Sequence, residues 1–195
     1  MSRLTDFLEA PFWTFLGALF AALAAWITGR RKEKVPTSLR QIETIYTVLN
    51  TVLLITEADR VAIFKLHNSG GKIVPGERLY VSKLYEVWSR NIEPWADNWD
   101  HVEPSEGYHA LLSKIFSSTS VVEVAKDVTK ANELRDSFNK DNVKLGAAIP
   151  IYSSADAKTA YFLAVDFCSD AAVINATIRD AMRSAASKIR DALKG

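Results

Sequence analysis

The stretch that decides the fold is Gly146–Phe167, which reads GAAIPIYSSADAKTAYFLAVDF. Two apolar segments, rich in β-branched and aromatic residues, flank a loop of small and charged residues, Ser153–Lys158. This composition favours strands over Leu145–Tyr152 and Thr159–Phe167. The two strands and the polar loop between them therefore predict a β-hairpin.

Helices and further strands are predicted on both sides of this hairpin. The apolar positions of Ala172–Leu193 recur every three to four residues, which predicts an amphipathic helix after the hairpin. The same spacing predicts a helix that begins at Thr37 or Ser38 and ends near Glu57. Between this helix and the hairpin, the predicted elements are strands Arg60–His67, Arg78–Val87 and Ser120–Ala125 and helices Ser105–Ser117 and Thr129–Asn139.

Parts of this pattern resemble a known family, the GAF domains. The apolar strand Ala147–Ile151 contains Ile-Pro, and Phe162–Phe167 reads FLAVDF; together they resemble the closing strands of that family. The stretch RVAIFKLHNSGG, residues 60–71, looks like its first strand and turn. The resemblance covers about residues 38–193 and implies an α/β (α+β) fold, with a central antiparallel sheet flanked by helices.

For function, the resemblance implies a sensor or binding domain that takes a small ligand or a partner protein and has no enzymatic activity. GAF-like domains host many roles, so the fold alone does not define the ligand. The chain also departs from the family, because Ala160 or Tyr161 stands where GAF domains usually have the glycine that opens the last strand. No set of ligand-binding residues is carried over from the family by motif.

The N-terminal part of the chain predicts a membrane segment. No charged residue occurs over residues 10–29, and Glu9 and Arg30 bound this run. At about 1.5 Å per residue, roughly 20 residues of helix cross the ~30 Å core of a bilayer. The prediction is a transmembrane helix over 10–29, preceded by a short tail over 1–9. A cleaved signal peptide and a buried helix of a soluble protein are the alternative interpretations.

Basic residues dominate the linker that follows this helix, residues 30–37. They are Arg30, Arg31, Lys32 and Lys34. Since the preceding tail holds only Arg3, the positive-inside rule predicts a single-pass protein of the inner (cell) membrane whose soluble domain, residues 38–195, is cytoplasmic. The four basic side chains are predicted to contact anionic lipid headgroups.

Small residues line one side of the predicted membrane helix. Gly17, Ala21 and Ala25 recur at intervals of four residues and so share one face. Such a face lets two helices approach closely in lipid, which predicts a homo-oligomer that associates through the transmembrane helix. A plain alanine-rich anchor without specific association explains the same composition.

The layout of the whole chain is also similar to that of the holins of T-even phages. That family has one transmembrane helix, a connecting helix and a compact α/β domain that ends in a hairpin and a helix. This resemblance implies the alternative function of a protein that oligomerises in the inner membrane and permeabilises it for host lysis. Its soluble domain would then be periplasmic and bind an antiholin, which conflicts with the orientation predicted from charge.

One candidate binding site for a ligand or a partner lies after the first strand. His67, Asn68, Gly70 and Gly71 belong to a turn whose backbone N–H groups can face an anion and whose histidine can sense pH. No lysine or helix start follows at the spacing of a phosphate-binding loop. An ordinary glycine turn with an asparagine that bonds its own backbone is the alternative.

A second candidate binding site is aromatic. Tyr85, Trp88, Trp95 and Trp99, with Tyr80 nearby, can line a pocket or a partner surface, although aromatic residues equally fill cores. We expect Trp95 and Trp99 to be partly exposed, because aspartate and asparagine residues surround them.

The composition argues against several other functions. A net charge of +1 and scattered basic residues leave no footprint for nucleic acid. The single cysteine, Cys168, and three widely spaced histidines predict no metal site, and no motif predicts a catalytic residue or a cofactor. Asp166 stands among apolar neighbours, for which the sequence suggests a turn at the end of a strand.

Overall fold

A computed structural model describes residues 39–68, 78–95, 99–124, 131–153 and 160–194. The chain divides into two units between Thr37 and Ser38, and all described residues belong to the second. The predicted transmembrane helix, its Gly17/Ala21/Ala25 stripe and the basic linker lie outside the described residues, as do Gly70 and Gly71. Among the described residues, no helix is both long and apolar enough to cross a bilayer.

The order of helices and strands agrees with the sequence prediction. The four helices described are α1 Leu39–Thr56, α2 Glu106–Ser117, α3 Asn132–Lys140 and α4 Ala176–Lys194. The five strands described are β1 Arg60–Asn68, β2 Leu79–Trp88, β3 Val122–Glu123, β4 Leu145–Ser153 and β5 Ala160–Phe167. The fold is therefore α/β, with an antiparallel sheet as its centre.

The five strands form one sheet in the order β2-β1-β5-β4-β3. Neighbouring strands run antiparallel throughout. The predicted hairpin of β4 and β5 is confirmed, and its last strand pairs with β1, which places the first and last strands of the fold at the middle of the sheet. Because both faces of these central strands are covered by helices, β1 is buried along almost its whole length.

One face of the sheet packs against α1 and α4 through apolar side chains. Successive side chains of a strand point to opposite faces, so Val61 and Ile63 of β1 lie beside Val165 and Leu163 of β5 on this face. The helices contribute Ile45, Leu49, Met182 and Ile189, all fully buried. This core explains the periodicity of apolar residues in both helices. The face of the sheet that it covers is hereafter called the α1/α4 face.

The opposite face, hereafter the α2/α3 face, packs against α2, α3 and the segment between β2 and α2. Its core includes Phe64, Phe162 and Tyr108 together with Trp95 and Trp99. The expectation that Trp95 and Trp99 are partly exposed is wrong, because their exposed fractions are 5% and 6%. The polar neighbours in sequence do not decide their burial; contacts with β1, β2 and α2 do.

Two side chains of β2 fix the backbone at Trp95. Glu86 accepts a hydrogen bond from the Trp95 backbone N–H at 2.8 Å, and Lys83 donates one to the Trp95 carbonyl at 2.8 Å. Lys83 and Glu86 also form an ion pair at 2.7 Å, and both side chains are largely buried. The indole of Trp95 is thereby placed against Phe64, with ring centroids 5.2 Å apart.

Candidate functional site

Three rows of side chains cross the central strands on the α2/α3 face. The first row is Arg60, Asp166 and Gly146, the second is Ala62, Ala164 and Ala148, and the third is Phe64, Phe162 and Pro150. Each row joins register partners on β1, β5 and β4. The middle of this face is therefore made of methyl groups, with a polar row on one side and an aromatic row on the other.

The alanine row leaves space beneath the helices. A small cavity of about 30 Å³ lies over Ala148 and Ala164, between the sheet and α2 and α3. Its walls are mostly aromatic and aliphatic, and its lining includes Asp166. The other principal lining side chains are Phe64, Trp95, Trp99, Tyr108, Leu111, Ile115, Leu134, Phe138 and Phe162.

Asp166 is the one carboxyl group among these lining residues. It lies inside β5, is 2% exposed, and has one carboxylate oxygen, Oδ2, buried without a hydrogen-bond partner. Burial raises the pKa of Asp166 well above its ordinary value, although the positive charge of Arg60 opposes this shift. The interpretation of Asp166 as a strand-end turn residue is therefore wrong: its side chain points into the protein interior.

Two further buried polar atoms lack a partner in the same region. Arg60 donates from Nε to the Glu93 carbonyl at 2.9 Å, but its Nη1 has no hydrogen-bond partner. The indole Nε1 of Trp95 likewise has none. The two side chains are in contact, since the Arg60 guanidinium carbon lies 5.9 Å from the centroid of the Trp95 ring. Buried donors without partners are rare in proteins and call for an explanation.

These groups define what the site can bind. A neutral carboxyl group both donates and accepts hydrogen bonds, whereas indole and guanidinium N–H groups only donate. Asp166 and Trp95 can thus engage a group that presents both an acceptor and an N–H or O–H donor, such as an amide. The alanine floor and aromatic walls favour an apolar, flat body for the rest of the ligand.

A second polar cluster lies at the far end of β1 and β2. The His67 ring nitrogens lie 2.9 Å from the Asn68 carbonyl and 2.8 Å from the Ser82 hydroxyl. Ser82 in turn donates to a carboxylate oxygen of Asp100 at 3.0 Å, and His101 Nδ1 lies 2.7 Å from the same oxygen. Of the predicted turn site, His67 thus belongs to this cluster through its buried ring and Asn68 through its backbone carbonyl, and the two glycines fall outside the described residues.

The side chains of the predicted aromatic site do not lie together in the structure. Trp95 and Trp99 line the cavity, whereas Tyr85 faces α1 and packs edge-on against Tyr46 at 5.8 Å. Trp88 ends β2 and is 46% exposed. The sequence did not indicate Arg60, the alanine row or the buried position of Asp166, because these depend on the register between β1 and β5. Within the described residues, no group of three His, Cys, Asp or Glu side chains could hold a metal ion.

Known structures share this arrangement of sheet and helices. A far-red cyanobacteriochrome photoreceptor is 18% identical over 92% of this chain and 97% of its own, with a TM-score of 0.55. The photoproduct state of a GAF domain from Synechocystis sp. PCC6803 is 12% identical over 78% of this chain and 92% of its own, with a TM-score of 0.56. The red light-absorbing state of a red/green cyanobacteriochrome is 13% identical over 79% and 94%, with a TM-score of 0.57.

The described residues form a GAF-like α/β domain. At these identities the likeness establishes the fold alone. No family model matches the sequence, and no curated protein matches it either. The similarity in layout to the holins of T-even phages finds no support among these structures.

Proposed function

We propose that this chain is a membrane-anchored, non-enzymatic sensor whose GAF-like domain binds a small ligand on the α2/α3 face. The observation that carries the proposal is the coincidence of a cavity with buried polar atoms that lack partners. Asp166 and Trp95 line that cavity, and Arg60 lies against Trp95. A ligand that supplies those hydrogen bonds would repay a cost of about 1–3 kcal/mol for each group left unsatisfied.

The cavity as it stands is too small for an organic ligand. A volume of about 30 Å³ accommodates one or two water molecules. Binding of a larger molecule therefore requires the lining side chains to move outward from the alanine row, while the β-strands keep their positions. We take this movement to be the sensor's response, because it would change the packing of α2 and α3 against the sheet.

The ligand class we propose is a flat, largely apolar molecule with an amide-like polar edge. The residues favour this chemistry independently of any relative: the floor is methyl groups, the walls are aromatic rings, and the polar edge meets Asp166 and Trp95. A light-absorbing chromophore satisfies the description, and similar folds occur in photoreceptors. Nucleobases satisfy it as well.

Anchorage to the membrane is part of the proposal and rests on the sequence. The uncharged run over residues 10–29 and the basic linker over 30–37 support a single-pass protein whose domain is cytoplasmic. The Gly17/Ala21/Ala25 stripe supports a homo-oligomer formed within the bilayer. A fusion of a reporter to the C-terminus tests the sidedness, since a phosphatase is active outside the cytoplasm and a fluorescent protein inside.

The test of ligand binding is a thermal-shift screen of the full chain in mild detergent. The panel contains a bilin chromophore, purine nucleotides and a small-molecule extract of cells. We expect at least one component to raise the melting temperature of the natural chain and to leave the Ala164→Leu variant unchanged, because leucine fills the floor of the cavity.

Ser187→Leu is the matched control, since it adds the same side chain at an exposed position of α4. It should respond to the ligand like the natural chain. A screen in which no component stabilises the natural chain contradicts the proposal, and so does a hit that stabilises Ala164→Leu equally.

A further inference from the structure

The His67 cluster is a continuous chain of hydrogen-bonding groups. It runs from the Asn68 carbonyl through the His67 ring and the Ser82 hydroxyl to the Asp100 carboxylate, with steps of 2.9, 2.8 and 3.0 Å. The Ser82 oxygen also accepts a hydrogen bond from the backbone N–H of His101 at 3.0 Å. His67 and Ser82 are each 5% exposed, so water does not complete the chain at its centre.

Proton counting shows which ionisation state this geometry requires. The three steps need one proton each, and neither the Asn68 carbonyl nor the Asp100 carboxylate can supply one. A neutral imidazole and the Ser82 hydroxyl together supply two. With the proton on Nδ1, the hydroxyl turns to Nε2 and the contact with Asp100 has no proton; with the proton on Nε2, the contact with Asn68 has none.

The imidazolium form of His67 satisfies every step. Nδ1–H then donates to Asn68, Nε2–H donates to Ser82, and the Ser82 hydroxyl donates to Asp100. The additional proton does not belong on Asp100, because hydrogen bonding from His101 and then from Ser82 lowers the pKa of that carboxyl. The positive charge on His67 and the negative charge on Asp100 also attract each other through this chain.

Other groups oppose protonation of His67. Burial is the largest influence and lowers the pKa of His67, and the positive charges of Lys65 and His101 act in the same direction. The hydrogen bond to Asn68 and the charge of Asp100 raise it. Tyr80 also faces the imidazole, with ring centroids 6.2 Å apart, and the His101 ring lies at 4.9 Å. The transition therefore lies on the acid side of the ordinary histidine value.

The chain of hydrogen bonds ends at Asp100, on the segment that forms one wall of the cavity. Asp100 directly follows Trp99, and Trp99 lines the cavity and contacts Phe64 at 5.6 Å. The same segment is bonded to β2 by the Lys83 N–H to the Trp99 carbonyl at 2.8 Å and by the pair Val81–Val102. The Asp100 side chain is 74% exposed, so water readily solvates it when Ser82 no longer donates to it.

We propose that protonation of His67 latches the Trp99–Val102 segment to β2 through Ser82 and Asp100, and that it thereby regulates the ligand cavity. This inference rests on the proposed function only for its effect on ligand affinity. The hydrogen bonds that form the latch are made by residues of this chain and need no ligand. When His67 loses its proton, Ser82 turns its hydroxyl to the imidazole and no longer donates to Asp100. The wall at Trp99 then keeps its backbone bonds to β2 and the bond from the His101 N–H to Ser82, but it loses the bond through the Asp100 side chain.

The test uses the full chain labelled with 5-fluorotryptophan and followed by fluorine NMR between pH 5 and 8. The Trp99 signal is assigned with Trp99→Phe, and the titration of each imidazole is followed in parallel by nitrogen-15 NMR. We expect the Trp99 signal to shift with a midpoint equal to the pKa of His67, while the Trp88 signal, at the opposite end of β2, does not follow it.

Two variants remove the latch and keep His67. Ser82→Ala deletes the relay hydroxyl, and Asp100→Ala removes the exposed carboxyl group that accepts from it, so the second variant retains the fold even if the first does not. Both should lose the pH-dependent shift of Trp99, whereas His109→Gln, at an exposed position of α2, should keep it. A Trp99 signal that stays constant while His67 titrates would overturn the proposal, and so would a full shift in Asp100→Ala.

Ligand affinity measured as a function of pH distinguishes this proposal from the proposed function. With a ligand found in the thermal-shift screen, affinity should change across the His67 transition in the natural chain and become independent of pH in Asp100→Ala. If no ligand is found, the proposed function fails while the fluorine measurement still decides the latch. If a ligand binds with equal pH dependence in both chains, the proposed function stands and the regulation is refuted.

Discussion

The two faces of the central sheet are built from alternate residues of the same strands, yet they differ in kind. The α1/α4 face is a continuous apolar core in which residues such as Ile63, Leu163 and Met182 are fully buried. The α2/α3 face carries a polar row, an alanine row and a cavity. Under the proposed function the two faces have different roles: one stabilises the fold, and the other is left incompletely packed for a ligand.

The largest expected difference concerns one leucine from each face. Leu163→Ala should lower the free energy of unfolding by about 3–5 kcal/mol, because the side chain is enclosed by close-packed neighbours. Leu111→Ala should cost only about 2–3 kcal/mol, since Leu111 already borders the cavity and makes fewer contacts on that side. Urea denaturation of both variants measures the difference, and equal losses would show that the two faces are packed alike.

A smaller loss is expected at Gly146, where β4 and α3 approach closely. A Cβ atom there would lie 2.9 Å from Cζ of Phe138 and 3.3 Å from a carboxyl oxygen of Asp166. Gly146→Ala should therefore destabilise the domain by about 1–3 kcal/mol, despite the lower entropy of the unfolded alanine chain. The double variant with Phe138→Leu should recover part of the loss, and a stabilised single variant would exclude the close approach.

The polar row predicts that the free energy of unfolding depends on pH. Since the folded-state pKa of Asp166 is raised above the ordinary value of 3.8, the folded protein retains a proton that the unfolded chain releases. The stabilisation that Asp166 provides is fully present at a pH below the ordinary pKa of 3.8, and it is lost as the pH rises through the folded-state pKa. Asp166→Asn, which resembles the neutral acid, should therefore gain stability relative to the natural chain between pH 5 and pH 8.

Urea denaturation of the natural chain and of Asp166→Asn at pH 5 and at pH 8 measures this change. All other titratable groups are present in both proteins, so their contributions cancel in the comparison. If Asp166→Asn instead became less stable relative to the natural chain as the pH rises, Asp166 would be ionised and stabilised by Arg60. In that case the carboxyl group could not donate a hydrogen bond to a ligand.

The smallest effect is expected at Trp88, which belongs to neither core. Its side chain is 46% exposed at the end of β2. Trp88→Ala should change the free energy of unfolding by about 0.5 kcal/mol or less, whereas Trp95→Ala should cost about 3–5 kcal/mol. Thermal unfolding monitored by circular dichroism distinguishes the two, and a large loss at Trp88 would indicate that this residue is covered in the folded protein.

The sequence was sufficient to predict the helices and strands because their signals are local. The β-branched and aromatic composition of Leu145–Tyr152 and Thr159–Phe167 predicted the hairpin to within a few residues. The three-to-four spacing of apolar residues predicted both helices of the α1/α4 face. The GAF-like resemblance rested on these same residues and is confirmed for the fold.

The candidate site could not be predicted in the same way because it depends on register. Ala62, Ala148 and Ala164 are unremarkable in sequence, and only the pairing of β1, β5 and β4 brings them into one row. Trp95 stands among polar residues, but the pair Lys83–Glu86 holds its backbone against the sheet. His67 was identified from its turn, whereas its partners Ser82 and Asp100 come from distant parts of the chain.

The central claim is that the α2/α3 face holds a ligand over its alanine row. Titration calorimetry of the ligand found by the screen tests it most directly, with the natural chain, Ala164→Leu and Ser187→Leu. The account predicts that Ala164→Leu weakens binding at least about tenfold, which corresponds to roughly 1.4 kcal/mol, while Ser187→Leu binds like the natural chain. Equal affinity of the ligand for all three proteins would contradict it.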